Sequence, residues 1–565
     1  MAISARRAMT AAVPRRGTQN GVSIKRLLFV FALAIGFLLM TARPALATME
    51  GHEVSVLNPY ANCVGVGAGP QFDAENYPNT EPEVWEARNL ANPDNFVGTF
   101  QQDRWNDGGA KGLVAGWSFN DGLHWGVTPL PFSLCAAPYY GGAVLPTERA
   151  SDPANDFGPD GRAYAISISF DENTFKNGVG AATSTDGGVT WQNQKFVDFN
   201  ADVGPLTSFD DKEWVTADPQ VAGTAYAVWD QLRFFVSASC PRQATADDRP
   251  LRRSGSGDPV VCFTGPAMFS KTTDGGVTWS PPAPIVSTPA AEQTISNQIV
   301  VDPRTGILYD FYEYILATGA LQIRMVFSND KGATWSAPQI VVPDHNPVGI
   351  HDLQTGAAAR TGDIIPIPAI DRNTGQLYVA FQDTRYNTNG EDDVLFTTSV
   401  AGGLTGSWTV PQRVNLPEDR AGFTPGIKVN DQSQLGIDYY SLRHPDLGPD
   451  VWPVERYLRI SDGPALVSTP SGGGQPIATI SFSTPTHVAG PFNMLAAPDS
   501  GGFFTGDYEG MTIDRDGKSF HTFFASTNCD DPNCTAPFNP TGAPEESKAP
   551  PDPMDVYTNK YYKAG

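Results

Sequence analysis

Charged side chains recur beside the predicted strand ends of this chain. The segments that carry them are "QQDRW" (Gln101–Trp105), "ERASDP" (Glu148–Pro153), "FDDKEW" (Phe209–Trp214), "FQDTRY" (Phe381–Tyr386), "YYSLR" (Tyr439–Arg443) and "TGDYEG" (Thr505–Gly510). Arginine presents a planar fork of donors that matches a carboxylate, and two carboxylates can divide the acid and base work of glycoside hydrolysis. A concave mouth lined by these residue types would suit a polar carbohydrate, including an anionic one.

Six of these side chains are predicted to bind substrate. They are Asp103, Arg104, Arg149, Asp383, Arg385 and Arg443. Arg104 and Arg385 hold the same place in two repeats of the chain, so their guanidinium groups could grip one anion from two sides. The alternative is that each Asp–Arg pair only locks neighbouring sheets together, since exposed ion pairs are common and contribute little. That several pairs fall on one face favours a site.

The elements that must position these residues are short strands that follow turns rich in Asn, Asp, Gly and Pro. The turns are "NPDN" (Asn92–Asn95), "GPDG" (Gly158–Gly161), "DPQVAG" (Asp218–Gly223), "DPRTG" (Asp302–Gly306), "DRNTG" (Asp371–Gly375), "NDQSQ" (Asn430–Gln434) and "DRDG" (Asp514–Gly517). The segments after them alternate with period two and are rich in aromatic and β-branched residues, which is typical of strands. The recurrence predicts an all-β chain with seven units of four strands, A to D, as in a β-propeller.

A second repeat predicts the turn between strands C and D. Its copies are "SFNDGLHW" (Ser118–Trp125), "STDGGVTW" (Ser184–Trp191), "TTDGGVTW" (Thr272–Trp279), "SNDKGATW" (Ser328–Trp335) and the stretched "SVAGGLTGSW" (Ser399–Trp408). The Asp can accept backbone N–H groups of its own loop, Gly supplies a positive φ, and Trp wedges between sheets. These are Asp-boxes, and with them the chain resembles the sialidase and neuraminidase superfamily.

The resemblance implies a propeller, an exo-α-sialidase-like activity and a set of catalytic residues. Sialidases have six blades, so six is the alternative to a count of seven. They use three arginines, a Tyr nucleophile with a Glu partner, and an Asp acid/base. Tyr508 is the candidate nucleophile here, and Asp152, Asp211 and Asp507 compete for the acid role. The early arginine motif is absent, so Arg104, Arg149, Arg385 and Arg443 are its stand-ins. A non-catalytic propeller that binds glycan or protein is the other hypothesis.

Strand direction predicts where the chemistry lies. If strand A lines a central channel, the A–B turns and the Asp-boxes share one face, while the charged segments share the other. The last strand, in "DVYTNKYYKAG", leaves the final blade one strand short, and "HEVSVL" (His52–Leu57) is the predicted donor. Closure in this way would remove exposed sheet edges. The predicted organisation is a signal peptide over 1–47, an N-terminal segment with the closing strand over 48–79, and one propeller over 80–565.

The N-terminus predicts export. Basic residues precede the apolar run "LLFVFALAIGFLLM" (Leu27–Met40), and "ARPALA" follows with small residues at a cleavage position. The run is short for a membrane span, although an uncleaved anchor is the alternative. Cleavage would leave 31 basic and 61 acidic residues, a formal charge of −30. That charge disfavours nucleic acid and anionic membranes as partners. We expect a secreted or periplasmic monomer that acts on carbohydrate.

The six cysteines of an exported chain indicate disulfides. Proximity in the sequence favours Cys240–Cys262 and Cys529–Cys534, which leaves Cys63–Cys135. No metal or other cofactor is predicted from ligand spacing, but calcium is possible because the acidic run "NGEDD" (Asn389–Asp393) could bind it. The competing interpretation is a solvated acidic loop, since the EF-hand spacing is missing.

Overall fold

A computed structural model describes residues 51–67, 74–172, 174–201, 208–237, 240, 261–353, 355–399, 408–443, 451–528 and 554–561. The all-β prediction is confirmed, because strands dominate these ranges and the helical pieces are the short 3-10 turns Leu134–Tyr139 and Met494–Ala496. Within these ranges, no helix has the length and apolar character needed to cross a membrane.

The strands of the N-terminal half run in the following order. They are β1 (His52–Glu53), β2 (Asn76–Tyr77), β3 (Trp85–Arg88), β4 (Phe96–Trp105), β5 (Ala110–Ser118), β6 (Gly126–Pro129), β7 (Arg149–Phe157), β8 (Ala163–Phe170), β9 (Asn177–Ser184), β10 (Gln192–Asn200), β11 (Phe209–Ala217), β12 (Ala225–Val236), β13 (Val261–Thr264), β14 (Ala267–Thr272) and β15 (Ala283–Val286).

The strands of the C-terminal half follow. They are β16 (Gln293–Val301), β17 (Leu308–Ile315), β18 (Leu321–Ser328), β19 (Gln339–His345), β20 (Ile350–His351), β21 (Ala358–Arg360), β22 (Ile367–Ile370), β23 (Leu377–Asp383), β24 (Asp393–Thr398), β25 (Gln412–Arg413), β26 (Gly422–Val429), β27 (Leu435–Ser441), β28 (Pro453–Ile460), β29 (Leu466–Ser468), β30 (Ile477–Thr479), β31 (Thr486–Asn493), β32 (Phe503–Phe504), β33 (Gly510–Ile513), β34 (Phe520–Thr527) and β35 (Met554–Tyr561).

Most strands pair with their sequence neighbours in antiparallel meanders. The orders are β3-β4-β5-β6, β7-β8-β9-β10, β11-β12-β14-β15, β16-β17-β18-β19, β22-β23-β24-β25, β26-β27-β28-β31 and β33-β34-β35-β1. The first two meanders join into one nine-stranded sheet, which includes β2, through the single pair Ala110↔Ala150. In the last sheet β1 pairs with β35 through His52↔Thr558, and the Val54 N–H donates to the Val556 carbonyl at 2.8 Å.

The first strands of these meanders contact one another in order. β3 touches β7, β7 touches β11, and the contacts continue through β16, β22, β26 and β33 back to β3. Residues of every one of them line a cavity of about 200 Å³, which we call the small cavity. Its walls come from residues 85–88, 155–157, 214–217, 298–301, 368–370, 428–429 and 512–513, with Leu90, Arg372 and Asp431.

The middle strands of the meanders are buried on both faces. All ten residues of β4 and all eight of β34 are buried, because sheets pack against each side. Between two such sheets, Tyr309 and Phe311 of β17 pack with Val379 and Phe381 of β23. Sheets covered on both sides are buried throughout, so the polar residues of the middle strands must find partners inside.

The repeated Ser/Thr–Asp–Gly–Trp segments form turns with matching hydrogen bonds. In the segment from Ser184 to Trp191, the Thr190 N–H donates to Asp186 Oδ1 at 2.9 Å and the Gly188 N–H donates to Ser184 Oγ at 2.9 Å. Trp191 Nε1 donates to the Gly188 carbonyl at 3.0 Å. The same Thr-to-Asp bond recurs at Thr278 and Thr334. The hydrogen bonds of these side chains therefore serve the turn itself.

Two of the three predicted disulfides are confirmed. Cys63 bonds to Cys135 with a Cα–Cα distance of 5.5 Å, and Cys240 bonds to Cys262 with a Cα–Cα distance of 5.8 Å. The third predicted pair, Cys529–Cys534, lies outside the described residues. Disulfides of this kind persist in oxidising compartments.

Candidate functional site

The innermost strands share a local irregularity near their starts. Strands β7, β11, β16 and β26 each lose register with their neighbour at one point, as in a β-bulge. At that point a non-glycine residue has positive φ: Asp152 (52°), Lys212 (48°), Ser296 (62°) and Thr424 (43°). Such conformations cost on the order of 1–3 kcal/mol each and cluster at functional sites. The repeated bulge therefore marks the starts of these strands as a candidate functional region.

The bulges place adjacent side chains on the same surface. In a regular strand, neighbours such as Asp211 and Lys212 point to opposite faces. Here both line a cavity of about 490 Å³, as do Ser151 and Asp152, because a bulge sets two residues opposite one. This large cavity is lined by the charged residues Arg104, Asp152, Asp211, Lys212, Asp230, Arg360, Asp363 and Asp507, and by the apolar residues Ile168, Phe170, Phe209, Leu232 and Ile295.

The two cavities lie at opposite ends of the same strands. Residues 151–152 of β7 and 211–212 of β11 line the large cavity, whereas residues 155–157 and 214–217 of those strands line the small one. Between them lies an aromatic cluster of Trp85, Trp214 and Tyr508. The ring centroids of Trp85 and Trp214 are 4.3 Å apart, and those of Trp214 and Tyr508 are 5.7 Å apart.

Lys212 is the centre of the charge cluster in the large cavity. Its Nζ lies 2.7 Å from Asp507 Oδ2, 3.1 Å from Asp152 Oδ1 and 3.3 Å from Glu83 Oε1. Glu83 is fully buried behind the cavity wall and has φ +56°. Burial disfavours the charged ammonium, but the three acids outweigh it and hold the pKa of Lys212 well above its usual value. Lys212 therefore stays charged and links β11 to β7 and to the segments that precede β3 and β33.

Two arginines complete the cluster. Arg360 donates to both carboxylate oxygens of Asp507, with a Nε–Oδ1 distance of 2.9 Å. Arg104 donates to Gln101 Oε1 at 2.8 Å and to Ser500 Oγ at 3.0 Å from its NH2 group, and its NH1 lies 3.8 Å from Glu83 Oε2. Charge-assisted bonds of this kind are the strong ones, so the cations of the large cavity all have partners.

The carboxylates of the large cavity have opposite pKa shifts. Burial, reinforced by the charge of Asp152, raises the pKa of Asp211 to about 6. Burial also acts on Asp507 and Asp152, but Arg360 and Lys212 outweigh it for Asp507, whose pKa falls well below the usual value, and Lys212 lowers the pKa of Asp152. Burial also raises the pKa values of Asp230 and Asp363, which line the same cavity. Acids that hold a proton more readily thus face the same space as carboxylates that stay ionised. When the environment shifts the pKa values of two paired carboxylates in opposite directions, one carboxylate is suited to act as the acid and the other as the base.

The oxygens of the ionised carboxylates differ in availability. Arg360 donates to Asp507 Oδ1 and Lys212 donates to Asp507 Oδ2, so both oxygens of Asp507 have partners. Asp152 Oδ1 receives Lys212 at 3.1 Å, and a hydrogen bond with the Glu83 side chain also acts on the Asp152 carboxylate. Asp211 Oδ1 accepts its neighbour's backbone N–H at 3.1 Å, while no hydrogen bond to its Oδ2 comes from the described residues. Asp211 therefore retains an oxygen for a ligand.

The structure brings four of the sequence-predicted site residues into the large cavity: Arg104, Asp152, Asp211 and Asp507. Tyr508 lies beside it, in the aromatic cluster. Its hydroxyl donates to the Pro153 carbonyl at 2.9 Å, and burial, followed by the nearby acids, raises its pKa well above the usual value. Its role as nucleophile stays a prediction.

The other predicted residues lie elsewhere. Arg149 donates to the Gly67 carbonyl at 2.9 Å and stacks over Trp105. Asp103 accepts Lys111 Nζ at 2.8 Å. Local ion pairs join Arg385 Nε to Asp383 at 2.8 Å and Arg443 Nε to Asp419 at 2.7 Å. These side chains are not brought together, and their assignment to substrate binding stays a prediction.

Sequence reasoning missed Lys212, Glu83 and Arg360. Lys212 stands inside the "FDDKEW" segment, but strict alternation gives no reason to place it beside Asp211. Glu83 stands in "EPEV" (Glu81–Val84), at the predicted start of the first inner strand. That position could have indicated that Glu83 lies near the other site residues. Arg360 ends β21, which pairs with β20 and β32 outside the repeated meanders. A repeat-based prediction therefore had no place for Arg360.

The acidic groups that could hold a metal already have protein partners. Carboxylate oxygens of Glu83, Asp152 and Asp507 lie within 4.8 Å of one another, but the Lys212 ammonium contacts all three. In the run at 389–393, Asn389 and Gly390 are exposed but the three acids are buried, so the expectation that these acids are solvated was wrong. Glu391 pairs with Arg420 at 2.9 Å, Asp393 pairs with Arg413 at 2.7 Å, and Asp392 accepts two backbone N–H groups.

Comparison with known proteins identifies a sialidase among the relatives. No protein-family model matches the chain. Over 201 residues the chain is 31% identical to "Sialidase" of Micromonospora viridifaciens, an alignment that covers 33% of this chain and 29% of that protein. The chain thus spans less than a third of the length of this curated relative.

Solved structures give weaker similarities. The Hadza microbial sialidase Hz136 aligns with a TM-score of 0.37 at 15% identity over 64% of each chain. The leech intramolecular trans-sialidase, complexed with 2,7-anhydro-Neu5Ac, aligns with a TM-score of 0.39 at 11% identity, over 92% of this chain and 98% of that one. Values this low carry no substrate or residue role across. The similarity to the Micromonospora protein nevertheless confirms the resemblance to the sialidase and neuraminidase superfamily.

Proposed function

We propose that this chain is a sialidase-like glycoside hydrolase that acts on exposed glycans at the large cavity. The observation that carries the proposal is the pair Asp211 and Asp152. Burial and Asp152 raise the pKa of Asp211 to about 6, whereas Lys212 holds Asp152 ionised against burial. A protonated acid beside an ionised carboxylate is what cleavage of a glycosidic bond requires.

In the proposed mechanism Asp211 is the general acid. It donates its proton to the oxygen of the leaving group as the glycosidic C–O bond breaks. Asp152 acts on the opposite side of the sugar: either it takes a proton from the water that attacks the sugar carbon, or it bonds to that carbon itself and water then cleaves the new ester bond. Asp507 is the third carboxylate, held ionised by Arg360 and Lys212, and it contributes negative charge as the sugar ring becomes positive. Lys212 and Arg360 are positioning residues, since they fix both carboxylates.

The walls of the large cavity favour a sugar with both polar and apolar surface. Phe170 and Phe209, whose rings are 6.3 Å apart, stand with Leu232 and Ile295 opposite the charged cluster. Aromatic and aliphatic faces bind the apolar faces of ligands, while a few polar groups set orientation. Because the cations already have protein partners, an anionic sugar would have to compete with Asp507 for Arg360.

The proposal includes the architecture that holds the cavity. The meanders are inferred to be seven blades of one propeller over residues 80–565, closed by β1 in the last blade. The ring of contacts from β3 to β33 and the pairing of β1 with β35 support this arrangement. The two disulfides support the inference that the protein is secreted or periplasmic.

A hydrolysis screen tests the proposal. Purified protein is incubated with chromogenic glycosides, including sialosides, and the released chromophore is measured. We expect release from at least one glycoside, and Asp211→Asn should slow it by about 10²–10⁴-fold, the usual contribution of a general acid. The matched control is Asp363→Asn, a second carboxylate of the same cavity whose pKa burial also raises.

The alternative, a propeller that binds glycan without cleaving it, predicts a different result. No glycoside would release chromophore, while a glycan array would still show binding that Asp211→Asn leaves intact. Release that Asp211→Asn leaves unchanged would contradict the assignment of the acid but not the activity.

A further inference from the structure

The cations that line the small cavity differ from those of the large cavity in their hydrogen-bond and ion-pair partners. Arg88, Arg372 and Lys428 all line it. In the part of the chain that the structure describes, none of these three side chains donates a hydrogen bond or lies within ion-pair distance of a carboxylate. Lys428 Nζ lies 5.0 Å from the centroid of the Trp85 ring.

The acids that line the small cavity make no ion pair with these cations among the described residues. Asp156 accepts the Phe157 N–H at 2.8 Å on one oxygen and the Ala217 N–H at 2.9 Å on the other. Glu86 Oε2 lies 2.9 Å from the His521 ring nitrogen, and its Oε1 has no hydrogen-bond partner among the described residues. Asp431, the remaining acid of the lining, has its carboxylate beside the turn at Gly517. Three cations and three acids thus line the small cavity, and among the described residues no ion pair joins them.

The cations also face one another. Burial lowers the pKa of Arg88, and the charge of Arg372 lowers it further, while the charges of Asp431, Asp514 and Asp516 oppose this shift. Burial likewise lowers the pKa of Lys428; Asp156 opposes this effect and Arg372 adds to it. The Nε of Arg88 is shielded from solvent and has no hydrogen-bond partner. Buried donors almost always have a partner, so an unsatisfied one needs an explanation such as an ion.

We propose that the small cavity is a binding site for a small oxyanion, held by Arg88, Arg372 and Lys428. Two guanidinium forks match the oxygens of phosphate, sulfate or a carboxylate better than they match a spherical halide. Arg372 is exposed, which gives the anion access from solvent, and a volume of about 200 Å³ admits it with water. The site lies at the opposite end of the inner strands from the proposed catalytic residues and does not depend on hydrolysis.

Isothermal titration calorimetry tests the site. Sodium phosphate, sodium sulfate, sodium acetate and sodium chloride are titrated separately into the protein in a low-salt HEPES buffer. We expect binding of an oxyanion, weakened about tenfold or more by Arg372→Gln and by Lys428→Met, since a hydrogen bond to a charged group contributes at least that much. Arg372 is exposed, so its variant keeps the test valid if Lys428→Met fails to fold.

The matched control is Arg304→Gln. Arg304 is also largely exposed, but its guanidinium pairs with Asp302 at 2.9 Å and it does not line the small cavity. This variant should bind the oxyanion as the parent does. The proposal is overturned if the parent binds no oxyanion, if chloride binds as tightly as the oxyanions, or if Arg372→Gln and Lys428→Met leave the affinity unchanged.

Discussion

The large and the small cavity are each lined by three cations, which differ in their partners. In the large cavity, Lys212 and Arg360 contact carboxylates at hydrogen-bond distance. In the small cavity, Lys428 and Arg372 contact none among the described residues. Strands β7, β11 and β16 contribute to both cavities, whereas Arg360 comes from β21, outside the inner strands. The comparison teaches that an ion-paired cation sets the pKa of its neighbours, whereas an unpaired one is available to a ligand.

Backbone geometry helps to explain why the two ends of the inner strands differ in how their charged side chains are paired. At the large cavity the bulges at Asp152 and Lys212 turn consecutive residues toward one space, which concentrates opposite charges. Beyond the bulges the strands pair in regular register, and runs of residues such as 155–157 and 214–217 line the small cavity. Asp156 of β7 and Lys428 of β26 arrive there on separate strands, and Asp156 is held by backbone N–H groups instead.

The largest difference between the two cavities is expected when one lysine is removed from each. Lys212→Met leaves buried carboxylates without their counter-ion, which costs about 3–5 kcal/mol. Lys428→Met removes a charge whose pKa burial and Arg372 lower, so stability should stay the same or rise. Urea unfolding at pH 7 measures both. Equal losses from the two variants would mean that Lys428 has a partner of the same kind.

A second test uses pH. Burial and Asp152 raise the pKa of Asp211 to about 6 in the folded state, above about 3.9 in an unfolded chain. The bound proton therefore stabilises the fold most below pH 4, and this contribution is lost as pH rises to 6. In Asp211→Asn the side chain at this position no longer titrates. Its stability relative to the parent should rise by about 2–3 kcal/mol between pH 4 and 7, since each pKa unit corresponds to about 1.4 kcal/mol.

The same titration should govern turnover. If Asp211 is the general acid, hydrolysis should decline as pH rises through about 6. Asp507 and Asp152 titrate in the opposite sense, because their cationic neighbours outweigh burial and lower their pKa values. Their contribution to stability is present above pH 4 and is lost in strong acid. A pH–rate profile that is flat between pH 5 and 8 would argue against Asp211 as the acid.

The sequence predicted much of the frame and part of the site. Turn residues such as Gly161 and Gly306 and the alternating segments after them indicated the strands, and cysteine proximity indicated two of the disulfides. Aspartates 152, 211 and 507 were found because they start inner strands. Lys212 was missed because a bulge breaks the alternation on which the prediction depended. Arg88 and Lys428 were missed because nothing in a local segment shows that a cation lacks a partner.

The smallest expected effect concerns the aromatic cluster between the two ends. Tyr508→Phe removes the hydroxyl that donates to the Pro153 carbonyl, and loss of one such bond costs about 1 kcal/mol. The matched control is Tyr226→Phe, a fully buried tyrosine whose hydroxyl donates to Asp218 at 2.6 Å, outside both cavities. Tyr226→Phe should lose more stability in urea, about 1.5–3 kcal/mol, because its acceptor is a carboxylate. Because the Tyr508 hydroxyl is held by a carbonyl and burial raises its pKa, we expect hydrolysis to survive in both. Loss of turnover in Tyr508→Phe alone, with folding intact, would instead make Tyr508 the nucleophile and extend the active site from the large cavity into the aromatic cluster.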